Sequence, residues 1–294
     1  MNEPIIEIKN LNRRFGNKHA LNDVSLTVPA GTVMGLVGEN GAGKTTLIKH
    51  VLGLLKAQAG TVRIFGKDPV ADPEGVLSQV GYLSEEGDLP MWMRVHELMR
   101  YSAAFYPTWD ETYARQLLTE FNLDPNAKLN KMSKGQRSRA GLLVAMAYRP
   151  KLLVLDEPSS GLDPIVRRDI LGAIIRTIAD DGRTVLFSSH LLGEVERVSD
   201  QIAIVKAGRI LLTDTLDNVK DSHYRATLRF SEPKITPPEV EGSLSWVGSG
   251  REWYTTFYGD FAVLETAAAE MGATIVEKSH LSLDEIFVAR VGAA

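Results

Sequence analysis

The sequence contains no cysteine, which removes disulfides and cysteine-based metal centres and suits a reducing compartment without requiring one. It has no apolar run near the ~18 residues that a membrane-spanning helix needs. The longest candidates, such as Gly141–Tyr148, have the length of core segments. The opening stretch MNEPIIEIKN lacks the basic and apolar regions of a signal peptide, so a cytoplasmic location is expected. Positive charge is not in excess: 33 Lys and Arg against 37 Asp and Glu give a net charge of −4. No nucleic-acid partner is expected on that balance. No internal repeat is visible. What remains is an ordinary globular composition, 44% hydrophobic and 24% charged over 294 residues. That is enough chain for one large domain, or a medium one and a small one.

The first two hundred residues alternate short apolar runs with helical patterns. TVMGLVG (Thr32–Gly38) reads as a buried strand entering a Gly-rich turn and then a helix, Lys44–Leu54. KLLVLDEP, TVLFSSH and QIAIVKAG are further apolar strands, separated by helical segments such as Ile165–Ala179. Continuous apolar strands alternating with helices predict a parallel sheet covered on both faces. The earlier IIEIKNL and ALNDVSLTV alternate as half-buried antiparallel strands do. A helical insert is expected at about 91–148, and the texture changes near Asp214. From Thr215 onward, 7 Lys and Arg stand against 12 Asp and Glu. This part reads as a small α+β domain with a Pro-rich loop (SEPKITPPEVEG), an aromatic hairpin (SLSWVGSGREWYTTFY), two helices and a last strand. The expected domains are therefore 1–214 and 215–294.

GENGAGKTT, Gly38–Thr46, fits G-x-x-x-x-G-K-[ST] between a strand and a helix, the context that makes this pattern a phosphate-binding loop. Glycines let the backbone wrap phosphate while successive N–H groups point inward at a helix N-terminus. Gly38, Asn40, Gly41, Ala42, Gly43, Lys44, Thr45 and Thr46 are the candidate nucleotide-binding residues of this loop. Lys44 supplies mobile positive charge, and the Thr45 hydroxyl suits Mg²⁺. LLVLDEP puts Asp156 and Glu157 at the carboxyl end of a buried strand, where ligands sit in open α/β sheets. Asp156 is the candidate metal ligand and Glu157 the candidate base for a water attacking phosphate. The expected ligands are ATP and Mg²⁺.

NKMSKGQRSRAGLLVAM, Asn130–Met146, begins a helix with unusual charge. Ser133 and Gln136 form a capping box. A helix N-terminus carries partial positive charge and ordinarily collects Asp or Glu. Here Lys134, Arg137 and Arg139 follow instead, which leaves an anion site with no carboxylate of its own.

Together these residues resemble the nucleotide-binding subunit of an ABC (ATP-binding cassette) transporter over about Ile5–Asp214. Phe15 in RRFG stands where the family stacks an aromatic on adenine. MSKGQ (Met132–Gln136) stands at the family's LSGGQ signature, with Lys134 in place of the first glycine. SGLD (Ser160–Asp163) is similar to the D-loop, and His190 after LFSS to the switch histidine. VGYLSEEGDLP aligns with the Q-loop but carries Glu85 at the glutamine position. Glutamate binds Mg²⁺ but donates no N–H. Glu85 here resembles the exporter-type branch.

The resemblance implies an α/β fold of the P-loop NTPase type. Its parts are a mixed β-sheet core, an antiparallel β subdomain and a helical subdomain, followed here by the small C-terminal α+β domain. It implies ATP held between the loop of one subunit and Ser133, Gly135 and Gln136 of a second, with Lys44, Glu157 and His190 catalytic and Asp163 linking the two sites. Thr45, Glu85 and Asp156 are then the metal residues. One cradle and one signature per chain imply a homodimer or a pair with a similar subunit. A separate membrane permease is also implied, with the chain peripheral on its cytoplasmic face. The expected function is the ATPase of such a transporter, exporting rather than importing. The alternative is a soluble ABC ATPase working mechanically on ribosomes or DNA.

Overall fold

A computed structural model describes residues 3–85, 88–179 and 182–293. The chain divides into two units, Met1–Thr213 and Asp214–Ala294. The first unit runs β1 (Ile6–Phe15), β2 (Lys18–Val28), β3 (Val33–Val37), α1 (Lys44–Val51), β4 (Ala59–Ile64), α2 (Pro73–Leu77) and β5 (Val80–Leu83). Three helices of the insert follow: α3 (Val95–Ala103), α4 (Glu111–Glu120) and α5 (Lys134–Met146). The unit closes with β6 (Leu152–Asp156), α6 (Pro164–Ala179), β7 (Thr184–Ser189), α7 (Leu192–Val198), β8 (Gln201–Lys206) and β9 (Arg209–Thr215).

The alternating N-terminal strands form an antiparallel sheet in the order β2-β1-β4, with Ile6, Ile8, Leu26 and Val28 turned into the core. The apolar runs form a six-stranded sheet in the order β5-β6-β7-β3-β8-β9. β3, β6 and β7 are buried at every position, as strands covered on both faces must be. β5, β6, β7, β3 and β8 pair in parallel. β9 returns after Ala207 and Gly208, both left-handed (φ 47° and 76°), the backbone of a tight hairpin turn. The sheet is therefore mixed. Its consequence for function is positional: β6, β7 and β3 are neighbours, so the loops after their carboxyl ends share one edge.

The second unit runs α8 (Leu216–Asp221), β10 (His223–Lys234), β11 (Ser243–Tyr258), α9 (Phe261–Glu270), β12 (Ala273–His280) and α10 (Leu283–Ala293). Its three strands lie in the order β11-β10-β12, antiparallel throughout. β11 doubles back on itself, with Tyr258 N donating to Gly242 O at 2.8 Å and Thr255 Oγ1 to Ser245 O at 3.0 Å. SEPK, expected in a loop, instead completes β10, where Lys234 pairs with Gly250 after a register shift. Trp253, Phe257, Phe261 and Leu264 form the core of this unit, with Trp246 packed against them.

His223 lies in that unit with no exposed surface. Its Nδ1 donates to Val219 O at 2.6 Å and its Nε2 accepts from Arg290 Nε at 2.9 Å. Burial, aided by the Arg290 charge, lowers its pKa to about 4. A depressed histidine pKa means that the unfolded chain binds the proton first. The stability it confers is complete above pH ~6.5 and is lost as pH falls towards 4. The loss is at most about 3 kcal/mol. His223→Gln is expected to flatten the fall in Tm between pH 6.5 and 4; an unchanged slope would contradict this origin.

Candidate active site

The phosphate loop joins β3 to α1, and its shape follows from contacts that leave no room for side chains. A Cβ at Gly43 would lie 2.7 Å from Ala20 O, and the residue sits at φ 115°. A Cβ at Gly38 would meet Val205 O at 2.4 Å. The loop borders a cleft of about 360 Å³ whose lining includes Phe15, Asn40, Gly41, Gly43, Lys44, Thr45, Thr46, Glu85 and Glu157. Gly38 and Ala42 shape this loop from behind: neither lines the cleft, and Ala42 is buried. Phe15 closes the β1 side. It is 46% exposed, with the Arg13 guanidinium 4.6 Å from its ring centroid.

Lys44 opens α1 almost fully buried, at 5% exposure. Its ammonium donates to Gly38 O at 2.6 Å and Glu39 O at 3.3 Å, and lies 3.0 Å from Glu157 Oε1. Glu157 follows β6 in the left-handed region (φ 47°), an uncommon backbone for this residue and one that clusters at functional sites. Its N–H donates to Ser188 Oγ at 2.9 Å, so the end of β7 fixes the turn. His190, just beyond β7, has Nδ1 2.7 Å from Glu157 Oε2. Glu157 is buried, and its Oε1 has the Lys44 ammonium as its counter-charge.

Asp156 is the last residue of β6 and is buried. Its Oδ1 accepts from Ser188 Oγ at 2.7 Å and from Thr45 Oγ1 at 3.3 Å. Burial pushes its pKa up, and the nearby Glu157 and Glu85 charges add to that rise. A buried carboxylate destabilised by its neighbours, next to a hydroxyl, fits a hard divalent cation with oxygen ligands. Glu85 is exposed at the cleft margin, and the following Glu86 and Gly87 lie outside the described residues.

The candidate anion site at the start of α5 lies elsewhere on the unit. Ser133 caps α5: its Oγ accepts from Gln136 N at 3.2 Å, and Gln136 Oε1 accepts from Ser133 N at 2.9 Å. Among the described residues the amides of Lys134 and Gly135 have no acceptor. Gly135 is glycine for packing as well, because a Cβ there would meet Val166 Cγ2 of α6 at 2.8 Å. The cations of this helix are tethered. Lys134 Nζ donates to Ser160 O at 2.7 Å, Arg137 to Met132 O at 2.5 Å, and Arg139 to Asp169 at 2.5 Å. Asp163 caps α6, accepting from Ile165 N at 3.0 Å and Val166 N at 3.1 Å. Ser133, Gly135, Gln136 and Asp163 do not line the cleft of the phosphate loop.

The family model described as "ABC transporter" matches residues 21–160. An uncharacterized ABC transporter ATP-binding protein of Bacillus subtilis, YdbJ, is 33% identical over 272 residues, covering 91% of this chain and 85% of its own. The chain belongs to the ATP-binding subunits of ABC transporters. Bacitracin transport ATP-binding protein BcrA of Enterococcus faecalis is 32% identical, over 82% of this chain and 79% of its own. A solved ATP-binding subunit of an ABC transporter superposes with a TM-score of 0.68 at 31% identity, over 74% of this chain and 92% of that one. The bacterial ABC cassette MJ0796, solved as a dimer, shares the fold (TM-score 0.65, 23% identity, 72% and 98% covered).

Membership carries ATP binding and hydrolysis as the activity of such subunits. Three participants escaped the sequence reading of this ABC subunit. Lys18 and Ala20 line the cleft from β2, and Ser188 ties Asp156 to Glu157. Only the first serine of FSSH, two residues before His190, pointed to that bridge.

Proposed function

We propose that this chain is the ATPase of an exporter-type ABC transporter, and that two copies close on ATP. The observation that carries this reading is the separation within one unit: the phosphate loop and the signature are two half-sites that do not share a cleft. In the closed pair each ATP lies on Gly41, Gly43, Lys44, Thr45 and Thr46 of one copy, with Phe15 against adenine. Ser133, Gly135 and Gln136 of the other copy face its γ-phosphate, and each Asp163 carries the signal between sites. Thr45 and Asp156, with Glu85 at the margin, would hold Mg²⁺, which supplies charge neutralisation to the phosphates.

Glu157 Oε1 takes a proton from water as the water oxygen bonds to the γ-phosphorus. The bond from that phosphorus to the bridging oxygen breaks, giving ADP and phosphate. His190 holds Oε2 at 2.7 Å, and Oε1 is released to the water as the Lys44 ammonium, 3.0 Å from it, turns to the phosphates. Loss of the γ-phosphate removes the anion between half-sites and releases the pair. The dimeric state named for the MJ0796 cassette supports this arrangement.

A permease partner is supported by an apolar groove of about 320 Å³ whose lining includes Leu54, Tyr82, Tyr106 and Tyr148. On the helical insert, which supplies Tyr106 and Tyr148 to that groove, Trp92 is 72% exposed and Phe105 63%, whereas Met93 is buried. Among the described residues no helix is long and apolar enough to cross a membrane, so a separate spanning chain would carry the substrate. The names of relatives for bacitracin transport and daunorubicin resistance favour an exporting role at the cytoplasmic face. Asp214–Ala294 is then an accessory or regulatory domain. Affinity purification from solubilised membranes should yield a multi-span protein, and a chain recovered alone would count against the permease. Ser133→Arg should abolish ATP-driven dimers in sedimentation while ATP binding to the monomer persists. A dimer that survives this change would overturn the sandwich.

A further inference from the structure

Lys134 stands where the family signature has glycine, and its ammonium is committed to the D-loop of its own chain. Nζ donates to Ser160 O at 2.7 Å. Gly161 keeps space for that contact: a Cβ there would lie 3.2 Å from Nζ, and its φ of 66° suits glycine. The D-loop has a second anchor, because Ser159 Oγ donates to Glu194 Oε2 of α7, the helix that follows His190. Ser160 N in turn donates to Glu157 O at 3.1 Å. The segment after the catalytic base thus hangs between the signature helix and the switch-histidine helix. Lys134 is exposed and holds its carbonyl from the first turn of α5, beside the free amides of residues 134 and 135.

We propose that Lys134 is an additional ATP-binding residue that couples phosphate arrival to the D-loop. A neutral carbonyl is a weaker partner for an ammonium than a phosphate oxygen. When the γ-phosphate of the opposing copy reaches the signature, the ammonium transfers from Ser160 O to that phosphate and frees the D-loop to engage the second chain. The family's glycine can do neither. This rests on the shared-site reading above, and the two arms of its test separate the two claims.

The first arm needs no dimer. In full-length chain with MgADP, hydrogen exchange is read on a peptide spanning Pro158–Asp163. Lys134→Met should exchange about three- to ten-fold faster than the unaltered chain, the scale of one hydrogen bond. Lys134→Arg should restore protection. Equal exchange in all three would show that Lys134 does not hold the loop. The second arm measures the MgATP concentration for half-maximal dimerisation in a Glu157→Gln background. Lys134→Met should need several-fold more ATP, with Lys134→Arg again restoring the value. A requirement that falls, or does not change, would overturn the transfer to phosphate. Absence of any ATP-driven dimer in the Glu157→Gln chain itself would instead defeat the shared site and leave the first arm standing.

Discussion

Glu157→Gln is expected to keep ATP affinity while lowering turnover by about two to four orders of magnitude, the range for a positioned general base. The substitution preserves shape and removes the proton acceptor. Lys44 Nζ at 3.0 Å and His190 Nδ1 at 2.7 Å both find an amide where they had a carboxylate. The left-handed turn at Glu157 does not depend on its side chain, since its N–H is held by Ser188 Oγ. The nucleotide should therefore bind, close the pair and stay. Stopped turnover with a long-lived MgATP dimer in size-exclusion chromatography is the expected pair of results. Unchanged turnover would remove Glu157 as the base.

Lys44→Ala is expected to weaken ATP binding by about ten- to a hundred-fold or more, because a charge-assisted contact to phosphate disappears. A second effect follows from burial. Lys44 and Glu157 are 5% and 6% exposed, and removing the ammonium leaves a buried carboxylate without its counter-charge. Breaking such a pair costs about 3–5 kcal/mol before relaxation. The single variant should thus melt earlier as well as bind poorly. The double change Lys44→Ala, Glu157→Gln should recover much of the melting temperature and none of the ATP affinity. Nucleotide titration with calorimetric Tm distinguishes the two losses, and normal binding by folded Lys44→Ala would remove the phosphate cradle from the account.

Much of this molecule was legible from local patterns. A P-loop between a five-residue buried strand and a helix, and an acidic pair ending another strand, are signals carried by neighbours in sequence. The helix cap at Ser133 was legible for the same reason. What the sequence left open are contacts that only the sheet order creates. Ser188 meets Asp156 from 32 positions away because β6 and β7 are adjacent. Lys134 and Arg137 could have faced solvent, but α5 packs beside α6 and the loop before it, so one reaches Ser160 O and the other its own loop. Gly135 looked like a phosphate contact alone; the Val166 side chain behind it adds a packing reason. In the second unit, SEPK carried two turn-forming residues, yet cross-strand pairing with β11 outweighed them.

The central claim is that each ATP site is built from two chains. Mixing two inactive variants tests it directly. Lys44→Ala keeps an intact signature, and Ser133→Arg keeps an intact phosphate loop. Neither variant closes with itself on ATP, so the pairs that close are mixed, and each contains one complete site out of two. ATPase activity should therefore return on mixing, to at most roughly half of that of the unaltered chain. If the mixture stays as inactive as its parts and forms no ATP-dependent mixed dimer, the site is not shared between chains.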